Sequence, residues 1–169
     1  MLYREQARNI KVPINHLTRP PERGLVEVDE NNYTIEVSLC VRGDELDPDE
    51  VTAALGVTPS SSQRKGQRVV DPATLRRVTA RTGEWRLRAD SGSGLVSDHV
   101  SALLSRISVD ASGIEGLARV EAALIDIVVT VPADERGGGH CEFDFSADLL
   151  AALARTGLPI QVTVCVVEE

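Results

Sequence analysis

Tyr33-Thr34-Ile35-Glu36-Val37-Ser38-Leu39-Cys40-Val41-Arg42 alternates without a break. Tyr33, Ile35, Val37, Leu39 and Val41 fall on one face, and Thr34, Glu36, Ser38, Cys40 and Arg42 on the other. Successive side chains of a strand point to opposite faces, so a period of two held this long marks a half-buried strand. Asp47-Pro48-Asp49-Glu50 follows and opens a helix. Asp47 is a capping residue, Pro48 suits the first helical position, and Glu50 completes a capping box. Val51, Ala54 and Leu55 form the inner stripe, and Gly56 ends the helix. The acids around this start favour the helix dipole and do not have the spacing of a calcium loop.

Outward from this pair, the pattern is that of an α+β domain. Upstream, Val26-Glu27-Val28 and the turn Asp29–Asn32 complete a hairpin. Downstream, Gln63 to Val70 reads as a strand broken by Asp71-Pro72. Gly83 to Ala89 is a second strand, with Trp85, Leu87 and Ala89 inward. Val96, Val100, Leu103, Leu104 and Ile107 recur at helical spacing. Glu121 to Val131 is an apolar strand covered on much of both faces. His140 to Phe145 reads as a strand, Ser146 to Gly157 as a capped helix, and Ile160 to Val167 as the closing strand. The expected architecture is a mixed, largely antiparallel sheet of five to seven strands with two main helices and short extra ones. The stretches Asp49–Gly56 and Asp148–Leu153 echo each other, suggesting two ferredoxin-like βα halves.

Residues 1–24 stand apart as an N-terminal arm ending in Arg19-Pro20-Pro21-Glu22-Arg23-Gly24, and residues 25–169 form the single domain. In the arm Ile10, Val12 and Ile14 alternate with Asn9, Lys11 and Pro13. An edge strand, a tail, and an arm that docks on a second copy to make a homodimer all fit.

The 169 residues suit one domain, and 42% hydrophobic with 26% charged residues are ordinary globular values. Five aromatic residues are too few for base-stacking recognition of single strands. Cys40, Cys141 and Cys165 form no CxxC pair, which points to reduced thiols. With no apolar leader and no run of 18 apolar residues, a cytoplasmic protein off the membrane is expected.

The net charge of −8 hides a segregation. Residues 24–63 carry 1 basic and 9 acidic groups, residues 64–88 carry 8 and 2, and residues 89–169 carry 4 and 13. The basic segment Arg64, Lys65, Arg68, Arg76, Arg77, Arg81, Arg86, Arg88 supplies guanidinium forks that suit carboxylate or phosphate. An acidic total argues against nucleic acid, whose binding depends on charge neutralisation. The alternative use for these cations is pairing with the chain's own acids.

After Tyr33–Val41, the residues Arg42-Gly43-Asp44-Glu45-Leu46-Asp47-Pro48-Asp49-Glu50, Ala54-Leu55-Gly56-Val57-Thr58-Pro59, Arg64-Lys65-Gly66, Thr82-Gly83-Glu84-Trp85 and the closing pair Leu153–Val164 occur in an order that resembles a bacterial family, domain of unknown function 4279. The resemblance covers about residues 33–167 and leaves the arm outside. It implies a shared domain and carries no activity and no catalytic residues.

Three function classes are open on the sequence. The leading expectation is a non-catalytic protein-binding module, of an inhibitor or immunity type, using segregated charged surfaces. The second is a domain for a small anionic ligand. Its candidate residues are Arg64, Lys65, Arg68, Trp85, Arg86, Arg88, Ser91 and Ser93, the serines lying in the Ser91-Gly92-Ser93-Gly94 turn before a helix. That reading requires these groups to converge on one pocket. The third is a metal-dependent enzyme on His140, Glu142 and Asp144, which share one face if residues 140–145 form a strand. His16 and His99 read as ordinary histidines. No catalytic constellation, cofactor motif or resident metal is expected.

Overall fold

The computed structural model describes residues 34–70, 75–107, 114 and 116–168. The elements run β1 (Thr34–Gly43), α1 (Pro48–Leu55), β2 (Ser61–Gln63), β3 (Arg68–Val70), β4 (Arg77–Thr79), β5 (Gly83–Arg88), α2 (Val96–Arg106), β6 (Ala122–Pro132), α3 (Ala147–Thr156) and β7 (Ile160–Val167). One five-stranded sheet has the order β2-β5-β1-β6-β7, and β3 and β4 form a separate ribbon. All pairs are antiparallel except β6 with β7, so the α+β architecture is the mixed, largely antiparallel one expected. No helix among the described residues is long and apolar enough to cross a membrane.

The alternation of β1 places everything else. Its Val37, Leu39 and Val41 are buried beside Trp85 and Leu87 of β5 and Ile125 and Ile127 of β6. Val51 and Leu55 of α1, Val96, Val100 and Leu103 of α2, and Leu153 of α3 complete one apolar cluster. Trp85 is the largest buried side chain, and its Nε1 donates to Thr52 Oγ1 (3.0 Å), which ties β5 to α1. A buried indole needs such a partner. Helices α1 and α3 both start at the caps read from the sequence: the Asp49 amide donates to Asp47 Oδ1 (3.0 Å), and the Leu149 amide to Ser146 Oγ (3.2 Å), while among the described residues Glu50 makes no return bond that would close a capping box. Both end on a left-handed glycine, Gly56 at φ 65° and Gly157 at φ 67°.

Three expectations change. Residues 140–145 form no strand: the return from β6 finds both its edges taken, by β1 and by β7. The alternation survives without the ladder, with Cys141, Phe143 and Phe145 half-buried and His140, Glu142 and Asp144 exposed. The stretch Gln63–Val70 divides between two sheets, turning at Gly66 (φ 82°). The two βα units share their caps but not their strand directions, since β6–α3–β7 is a parallel crossover and β1–α1–β5 is antiparallel. The arm, Val26–Val28 and the Asp29–Asn32 turn lie outside the described residues.

Gly43 and Gly83 face each other at the end of the β1–β5 ladder. A Cβ on Gly43 would sit 2.1 Å from the Arg119 carbonyl oxygen, and one on Gly83 would sit 2.7 Å from the Gly43 oxygen. Gly43→Ala is expected to cost about 2–3 kcal/mol in urea denaturation, because backbone must move to admit the methyl. A cost below about 0.5 kcal/mol would show that the Arg119 turn yields freely.

Candidate functional site

The basic segment does not act as one patch. Arg64 clamps the start of α1, with Nη1 on Asp47 Oδ1 (2.7 Å) and Nη2 on Asp49 Oδ2 (2.6 Å). Lys65 pairs with Asp44 in the loop that leads into that helix. The Lys65 hydrogen bond holds the Asp44 carboxyl below its usual range, and the Asp49 amide does the same for Asp47. Lys65 is raised in turn by its bond to Asp44. These groups are open to water, so the pairs position the loop more than they stabilise the fold.

Arg86 and Arg88 are directed elsewhere, onto the sheet face opposite the core. Arg86 lies across the middle of that face with its side chain only 17% exposed. Its Nη1 reaches Glu36 Oε1 (3.2 Å), Ser38 Oγ (3.3 Å) and Asp126 Oδ2 (3.7 Å), and its Nε reaches Glu84 Oε1 (3.3 Å). Arg88 takes the other oxygen of Glu36 (3.1 Å), and Arg42 takes the other oxygen of Glu84 (2.9 Å). Burial opposes the charge on Arg86, but the carboxylates of Glu84, Glu36 and Asp126 around it favour the charged form, and its pKa is raised. Burial also pushes up the Cys40 thiol beneath, which favours the neutral form.

The remaining candidates have structural partners. Trp85 is sealed in the core. Ser91 Oγ accepts from the Ser93 amide, and Ser93 Oγ accepts from the Leu95 amide while donating to Asp98. His99 Nε2 sits 2.8 Å from the Ser93 carbonyl oxygen, where a proton on that nitrogen makes it the donor. The Ser91–Gly94 turn is thus stitched to α2 by its own hydroxyls. Arg64 and Lys65, Arg86 and Arg88, and Ser91 and Ser93 occupy three separate settings. His140, Glu142 and Asp144 lie exposed along irregular chain, and no three His, Cys, Asp or Glu groups gather at metal distance among the described residues. Glu142 and Asp144 instead rim a cavity of about 250 Å³ with Gly94, Leu95 and Val96.

What is left of the basic segment lies on the β3–β4 ribbon. Arg68, Arg76, Arg77 and Arg81 are exposed and make no ion pair with a described residue. The register Arg68↔Thr79, Val70↔Arg77 puts Arg68, Val70 and Arg77 on one face. Leu75, in the connection, is 79% exposed at φ 54°, and Val70 and Val78 are exposed as well. Between the ribbon and the β2–β5 edge runs an open groove of about 1190 Å³, lined by Ser60–Gln63, Val69, Val70, Val78–Arg81, Glu84, Arg86 and Arg88. The aliphatic part of this surface was missed by reading the segment for charge alone. Its signal was Val69-Val70 and Leu75 standing between arginines. Asp126, a lone acid in the apolar run of β6, was the matching signal for the partner of Arg86.

The family described as "Domain of unknown function (DUF4279)" matches residues 31–166. No curated protein and no solved structure matches.

Replacing Arg86 by Met leaves Glu36, Glu84 and Asp126 facing one another without a cation. Asp126 Oδ1 is already buried without a hydrogen-bond partner among the described residues. Arg86→Met is expected to lose about 2–3 kcal/mol at neutral pH. The cause is the missing cation, so Arg86→Lys, which keeps a positive charge on the same strand face, should recover part of the loss. Urea denaturation of both variants checks this, and equal losses would remove the electrostatic cause. For the parent chain, the lowered Asp44 and Asp47 contribute stability above the unfolded carboxylate pKa that is lost as pH falls through their folded values.

Proposed function

The chain belongs to the DUF4279 family, which brings no activity with it, and we propose from its surface that it is a non-catalytic protein-binding module for an acidic partner. The observation that carries the reading is the division of the cations. Arg64, Lys65, Arg86 and Arg88 are neutralised by the chain's own carboxylates, while Arg68, Arg76, Arg77 and Arg81 project from a ribbon that also exposes Val70, Leu75 and Val78. Arginine is enriched at protein interfaces, and beside exposed aliphatic groups it suits one: the guanidinium selects the charge and the apolar surface supplies affinity. The acidic remainder of the molecule repels wrong approaches of an acidic partner and leaves the ribbon as the attractive face. An inhibitor or immunity-type protein has this profile.

A small anion is the second reading, reduced to Arg86 and Arg88 because the other groups first grouped with them do not line the groove, and it has one supporting feature: Ser60–Ser62 and Arg81 share the groove with those two arginines. Such an anion must displace Glu36 from both Arg86 and Arg88, which disfavours it.

Arg76→Glu/Arg77→Glu and Leu75→Ser test the module separately for charge and for apolar contact. A partner captured from host extract should be lost by the charge variant and by raised salt, and weakened by about tenfold in Leu75→Ser. All variants should keep the parent unfolding midpoint, because these side chains are exposed. Equal capture by the charge variant would contradict the proposal.

A further inference from the structure

We infer that β7 is a self-pairing edge, through which two copies of this chain join antiparallel along Ile160–Val167 about a two-fold axis at Thr163. The surface is separate from the β3–β4 ribbon and does not depend on the role proposed for it.

The five-stranded sheet has two edges of opposite character. β2 is three residues long, polar throughout and followed by Arg64 and Lys65, which is how natural sheets discourage pairing. β7 is eight residues long, Ile160-Gln161-Val162-Thr163-Val164-Cys165-Val166-Val167, with no charge, proline or glycine. Its outward backbone groups find no strand among the described residues. Ile160, Val162, Val164 and Val166 pair in register with the buried Ile125, Ile127, Val129 and Val131, so they lie on the core side of the sheet. They nevertheless remain 43–47% exposed, and Leu150 on the crossing helix α3 is 50% exposed. The core therefore stops one strand short of the sheet's end.

Three observations favour a second copy as the cover. First, the molecule carries −8 charge, and β7 is a surface where two like copies meet without carboxylate opposing carboxylate. Second, residues directly opposite in an antiparallel ladder share a face. Only registers whose paired numbers sum to an even value then keep both apolar rows on the core side. Among these, the register that opposes Ile160 with Val166 and Val162 with Val164 matches all four aliphatic residues with each other, and it puts Thr163 on the axis. Third, that register sets Glu168 opposite Leu158 of the second copy, within a turn of Arg155 at the end of α3. Neither Arg155 nor Glu168 has an ion pair with a described residue, and the symmetry forms the contact twice. The paired edges and Leu150 bury on the order of 800 Å² in total, the size of a weak, concentration-dependent dimer.

Sedimentation of the full chain across a concentration series is expected to show monomer–dimer exchange, and Val164→Lys should weaken it at least about tenfold by putting two ammonium groups near the axis. Oxidation of Thr163→Cys in a Cys165→Ser background should link the dimer rapidly, and Gln161→Cys in the same background should link it far more slowly. The cross-link carries the test if the lysine variant fails to fold. A chain that stays monomeric up to about 500 µM overturns the proposal. So does a dimer that survives Val164→Lys, or faster linking through Gln161→Cys than through Thr163→Cys.

Discussion

A guanidinium lying among three carboxylates on a mostly covered sheet face has to be neutralised where it stands, since a part-buried charge stripped of its partner costs several kcal/mol. Arg86 is in that position, with Glu36, Glu84 and Asp126 around it. These residues come from β1, β5 and β6, the three strands at the middle of the sheet. The cluster therefore ties the strands together on one face as the apolar cluster of Leu39, Trp85 and Ile125 does on the other. Because it consumes the charges of Arg86 and Arg88, it also leaves the ribbon arginines as the cations of the basic segment without an ion pair to a described residue.

Much of this was legible in the residues. The alternation of Tyr33–Arg42 gave the two faces of the central strand, and Asp47-Pro48 with Gly56 bounded α1 nearly to the residue, because cap chemistry is local. The amphipathic spacing from Val96 to Ile107 gave α2 for the same reason. What failed was long-range. Residues 140–145 have a strand's alternation but no ladder, because pairing depends on which edge of β6 is vacant, and β7 settles that some 15–20 residues later. Strand direction was hidden as well: nothing in the matching caps of α1 and α3 distinguishes an antiparallel return from a parallel crossover.

The basic segment shows the same divide. Its composition marked residues 64–88 as unusual, but proximity in sequence did not mean convergence in space. Arg64 and Lys65 turn back to the acids before α1, while Arg86 and Arg88 stand on a strand face two residues apart and meet acids from β1 and β6. Arg68 and Arg77 alone are placed together by a register, that of the ribbon. Segregation along the chain thus became pairing across it, and the ribbon carries the arginines that this pairing leaves over.

That division can be read directly from the rate at which each arginine of the native chain reacts with phenylglyoxal, followed residue by residue by mass spectrometry. Arg68, Arg76, Arg77 and Arg81 are expected to react fast, Arg42, Arg64 and Arg88 more slowly, and Arg86 slowest of all. Reaction of Arg86 at the rate of the ribbon arginines would contradict the closed charge cluster and, with it, the ground for proposing the ribbon as a binding surface.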